Sequence, residues 1–142
     1  MEKIHSVFII ELNKKFTNHF TVKFEENNTF ICFPEKSPEF GSVEIYEENP
    51  GAYIVYVGKF THCHFDCYEG SEDVQVKEAA EEITDFLENI FTDNVICFGS
   101  HEGGGGCYVM DEDDDEFLDD KYDAYFVWSG IYKKPNGKSY IE

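Results

Sequence analysis

The chain has 142 residues, enough for one domain with a substantial core and too few for two. Its 42% hydrophobic and 17% aromatic residues supply that core and exclude global disorder. Thirty acidic residues stand against 11 basic ones, every one a lysine, giving a formal charge of −19; so anionic a chain, without a single arginine, excludes direct nucleic-acid binding and disfavours phosphorylated substrates.

In chain order, residues 2–16 set Ile4, Phe8, Leu12 and Phe16 four apart, an amphipathic-helix signature, although "SVFIIEL" also fits a strand. The longest apolar run, residues 7–10, is far shorter than a membrane span, and Glu11 interrupts the only stretch that resembles a signal core. A cytosolic protein without membrane segments is therefore expected. "HFTVKFEENNTFICF" alternates apolar with polar residues on either side of a turn expected at Asn27-Asn28, which reads as a hairpin. After Pro34 and Pro38, "SVEIYEENPGAYIVYVGKF" reads as a second hairpin turning at Asn49-Pro50-Gly51, with Gly58 bending or bulging its second strand.

The period then changes. Residues 71–92, from Ser71 to Thr92, form the clearest helix, with Val76, Ala79, Ala80, Ile83, Phe86, Leu87, Ile90 and Phe91 on one stripe and glutamates opposite. Ser71, Glu72 and Asp73 suit its electropositive start. Two strands around a glycine loop follow, "NVICFGS" and "GCYVM", then an acidic loop at 111–121 and a last strand at residues 122–129. The expected architecture is a single α+β domain over 1–142: an antiparallel sheet of about six to seven strands with the two helices packed on one face.

Five cysteines, an odd number scattered over strand-like segments, predict reduced and mostly buried thiols. The densest group of chemistry-bearing residues is "THCHFDC". On a strand continuing from Ala52, His62 and His64 share one face while Cys63, Phe65 and Cys67 share the other. The H-x-H spacing can converge on a metal ion, with His101 or Asp66 as a third ligand, but no second pair stands at zinc-finger spacing. Adjacent strand residues point apart, so neither cysteine has a base beside it, and the surrounding negative charge raises a thiol's pKa. The expectation here is a strand end with no cofactor and no catalysis.

"GSHEGGGGCY" lacks the lysine and the following helix of a phosphate loop. "DEDDDEFLDDKYD" has Asp111, Asp113 and Asp115 at calcium-loop spacing, yet Glu116 stands where glycine is needed and Tyr122 where a bidentate glutamate belongs. Nine acidic residues and one lysine in this tract leave two readings: a solvated loop, or a docking surface for a strongly basic partner. Tyr108, Phe117, Tyr122, Tyr125 and Trp128 stand nearby as aromatic anchors for the second.

In size, acidity and this tract, the whole chain resembles small acidic bacterial immunity proteins, which bind and silence toxins. The resemblance is one of general character, with no motif matched and no residue role carried over. It implies a non-catalytic inhibitor of a basic, nuclease-type toxin. The contact set expected on that basis is Asp111, Asp113, Asp114, Asp115, Glu116, Asp119, Asp120 and Tyr122. Two other classes stay open: a metal-binding protein or metal-dependent enzyme centred on His62, His64 and His101, and a nucleic-acid mimic that decoys DNA-binding proteins.

Overall fold

A computed structural model describes residues 4–100, 104–109 and 125–132. The fold is α+β, with two helices and two antiparallel sheets. Helix α1 (Ser6–Phe16) buries Phe8, Leu12 and Phe16 at four-residue spacing, and Lys14 and Lys15 sit in its last turn, where the helix dipole favours cations. A five-strand meander follows: β1 (Thr21–Glu25), β2 (Asn28–Phe33), β3 (Val43–Asn49), β4 (Ala52–Val57) and β5 (Thr61–Asp66). Helix α2 (Glu72–Phe91) leads to β6 (Val95–Ser100), β7 (Gly104–Val109), β8 (Tyr125–Val127) and β9 (Gly130–Ile131).

The sheet expected as one of six or seven strands is thus two sheets, β1-β2-β3-β4-β5 and β7-β6-β8-β9. The first gains a strand because Gly58 does more than bend one. It takes φ +54°, and a Cβ there would lie 2.2 Å from the Phe40 carbonyl oxygen. Only glycine lets the chain turn so close to another backbone, and the same carbonyl accepts the Lys59 N–H at 3.0 Å. β4 therefore ends at Val57 and "THCHFD" returns antiparallel as β5. The first hairpin also turns one residue earlier than expected, with Glu26 (φ 51°) and Asn27 (φ 67°) left-handed and Glu25 paired with Asn28.

Sequence chemistry explains how the helices sit. Ser71 caps α2 by accepting the Val74 N–H, with Glu72 and Asp73 in the first turn. The buried stripe of α2 includes Val76, Ala80, Ile83, Leu87 and Ile90. Both helices pack on the face of the first sheet that carries Ile31, Ile45, Tyr53 and Val55, and Phe8 stacks on Tyr53 with ring centres 4.2 Å apart. Burying each large apolar side chain in this layer contributes roughly 1.5–3 kcal/mol. Trp128 ties the second sheet into the same core, lying 4.8 Å from Phe91 and 5.6 Å from Phe40 between ring centres.

Candidate protein-docking surface

The predicted contact residues Asp111, Asp113, Asp114, Asp115, Glu116, Asp119, Asp120 and Tyr122 lie outside the described residues, as do His101 and Phe117. Two of the expected anchors require correction. Tyr125 is 2% exposed and Trp128 8%: Trp128 completes the main core, and Tyr125 is buried in a second, smaller cluster with Ile96, Val127 and Tyr132. Aromatic residues next to an acidic run read as surface anchors, but here Trp128 packs on Phe40 and Phe91, and Tyr125 packs with Ile96 and Phe98 on the other face of the second sheet.

The histidine pair does share the outer face of β5. His62 and His64 are exposed with ring centres 5.3 Å apart, and His64 Nδ1 lies 3.7 Å from Glu48 Oε1. Among the described residues no third ligand joins them within coordinating distance.

A cluster that sequence reading missed is His5 with Glu72 and Asp73, the carboxylates 3.3 and 3.4 Å from Nε2. The tautomer argues against a metal site. Nδ1 of His5 accepts the Val7 N–H at 3.2 Å, so the neutral ring carries its proton on Nε2 and donates it to the carboxylates. A metal on Nε2 would force that proton to Nδ1 and break the cap of α1. The backbone N–H of His5 also donates to Glu47, at 3.1 and 3.2 Å, and Glu47 accepts the Tyr53 hydroxyl at 2.6 Å. The cluster is a clasp joining the starts of both helices to β3 and β4. Its members stand 67 residues apart in sequence, and no local pattern signals their meeting.

All five cysteines carry free thiols. Cys63 on β5 meets Cys107 on β7; that contact, with burial, pushes the Cys63 thiol well above the ordinary value. Cys107 is pulled down by Cys63 but pushed up more by Cys97 and by burial, reaching about 12. Cys67, 3.6 Å from Glu82, is pushed up to about 11 by burial and then by that carboxylate. These thiols stay protonated at neutral pH, which leaves them poor nucleophiles.

What the surface offers is negative charge. The outer side of α2 exposes Glu78, Glu81, Glu82, Asp85 and Glu88. The cations nearby are already taken: Lys14 lies 2.7 Å from Glu11, Lys77 4.0 Å from Glu11, and Lys15 pairs with Glu88 and Asp85. Hydrogen bonding to Glu88 raises the Lys15 ammonium above its usual value, so it stays charged and engaged. Glu78, Glu81 and Glu82 have no such partner among the described lysines.

The other exposed feature is β1. Each of its five residues is exposed, including Val22 and Phe24 at 51% apiece. It forms one edge of the first sheet. Sequence reading found this strand but not its exposure; the available signal was position, since the first strand of a meander is an edge. No helix of the described residues is long and apolar enough to cross a membrane. The chain matches no family profile, no curated protein sequence and no solved structure.

Proposed function

We propose that this protein is a non-catalytic, cytosolic, single-domain acidic module that binds a strongly basic protein, as an immunity protein neutralises a nuclease-type toxin. One observation carries the reading: the lysines of α1 and α2 are already engaged in ion pairs, while carboxylates remain uncompensated along α2. A surplus of like charge on one compact surface repels itself, and a cationic macromolecule relieves that repulsion while being steered into fast association. The acidic residues Asp111, Asp113, Asp114, Asp115, Glu116, Asp119 and Asp120, with Tyr122, add further negative charge to the chain and are the proposed contact set.

The test is kinetic. Replacing the aspartates of the tract with asparagine should slow association with the cognate basic protein by about tenfold or more at low ionic strength, with a smaller effect in high salt. An unchanged rate and an unchanged salt dependence would remove the tract from the binding surface.

A further inference from the structure

We infer that the outer edge of β1 is a docking site for an extended segment of the basic partner, which adds to the five-stranded sheet as a sixth strand. The inference rests on the acidic-module reading and says where and how contact is made.

The hairpin fixes which backbone groups are offered. Glu25 and Asn28 flank a two-residue turn, so they form a hydrogen-bonded pair, and the alternation makes Lys23↔Phe30 and Thr21↔Cys32 hydrogen-bonded as well. The N–H and C=O groups of Val22 and Phe24 therefore point away from β2, toward the free edge. Among the described residues no backbone bond reaches them from that side. The side chains add a pattern. Val22 and Phe24 share the face of Ile31, yet lie beyond the cover of the helices and stay half exposed. An apolar pair on an unpaired edge strand is a liability for a solitary protein, and an added strand would cover it.

Charge selects the occupant. A second copy, paired antiparallel about the centre of β1, would set Lys23 opposite its own counterpart and join two chains of charge −19. A basic segment meets the opposite field. Glu25 and Glu44 lie on the face of Lys23, close enough that both act on the Cys32 thiol, and Glu26 stands in the turn. The fitting strand alternates apolar residues, set against Val22 and Phe24, with lysine or arginine over Glu25 at the turn end of β1.

The experiment uses the full chain, isotope-labelled, with a short synthetic peptide alternating valine with arginine, and a control alternating valine with threonine. Amide exchange and chemical-shift mapping are read near physiological salt. The expected result is new protection of the Val22 and Phe24 amides by the arginine peptide, with weaker binding of the neutral control. Phe24→Pro should weaken the arginine peptide by about tenfold, because it removes an outward donor from an edge position that tolerates proline. Phe24→Thr, which keeps strand propensity, should weaken it several-fold, so the test survives if the proline variant folds poorly. Equal binding of the arginine peptide to wild type and both variants, with shifts spread over α2, would overturn the edge site and leave the acidic module standing. Protection of β1 by the neutral control, with no binding of the arginine peptide, would overturn the charge reading instead. Concentration-dependent protection of β1 without any peptide would overturn the basic occupant in favour of self-pairing.

Discussion

The first sheet ends in two edge strands, and they are built on opposite terms. On β5, "THCHFD" alternates half-buried and exposed residues. Its inner side chains are roofed by other elements: Phe65 lies 5.6 Å from Phe86 of α2 between ring centres, and Cys63 meets Cys107 of β7. On β1, "TVKFE" alternates just as regularly, but no described element roofs it and all five residues are exposed. The β5 segment holds the histidines and cysteines that attract chemical suspicion, and the structure spends its inner face on packing. The β1 segment holds ordinary residues, and of the two edge strands, both unpaired on their outer side among the described residues, it is the one whose apolar side chains are left uncovered. Reactive residue types can serve packing alone, while the uncovered apolar surface lies on another strand.

Substitutions can break this contrast or sharpen it. The largest effect is expected at the turn that creates β5. Gly58→Ala puts a Cβ against the Phe40 carbonyl in a left-handed conformation, and should cost roughly 2–3 kcal/mol in denaturant unfolding. A loss below about 0.5 kcal/mol would show that the turn relaxes freely and that β5 is not held as described. Next comes a direct pairing of the two edges. Phe65→Ala should destabilise the fold by about 2 kcal/mol through lost contact with Phe86, whereas Phe24→Ala should stay within about 0.5 kcal/mol because its side chain is already half in water. Equal losses at both positions would erase the contrast.

Smaller effects follow at the clasp and at the thiols. His5→Ala removes the α1 cap and its bonds to Glu72 and Asp73, with an expected cost of about 1 kcal/mol. His5→Asn, which can still cap, should recover most of that loss. Cys67 is a test of reactivity. With its thiol raised to about 11, alkylation at pH 8 should run about a hundredfold slower than at an unperturbed cysteine, as followed by peptide mapping. The sign for stability follows from the same shift: the unfolded chain loses this proton first, so the contribution is complete below about pH 9 and declines as pH rises toward 11. Fast alkylation at pH 8 would mean that Cys67 is not sheltered beside Glu82.

Much of this fold is legible in the residues alone, for local reasons. The α2 stripe repeats with helical period between a serine cap and a terminal Thr92, and both early hairpins carry turn residues at their tips. The sides taken by His62, Cys63, His64 and Phe65 follow from alternation once the segment is a strand. What escapes is non-local. That Gly58 ends β4 depends on a carbonyl at Phe40, on the far side of the second hairpin. That Tyr125 and Trp128 are buried depends on Phe40, Phe91 and Phe98 arriving from three other segments, while the neighbouring carboxylates suggest a wet surface. The exposure of β1 is a property of the whole helix layer, which stops short of that strand. The contact set expected at 111–122 rests on charge and lies outside the described residues.

The most direct test is recovery of the native chain from its own cells with whatever it holds, followed by a salt titration of the complex. One basic protein at equal stoichiometry, released as ionic strength rises, is the predicted result. Failure to retain any cationic protein, or turnover of a small substrate by the chain alone, would contradict it.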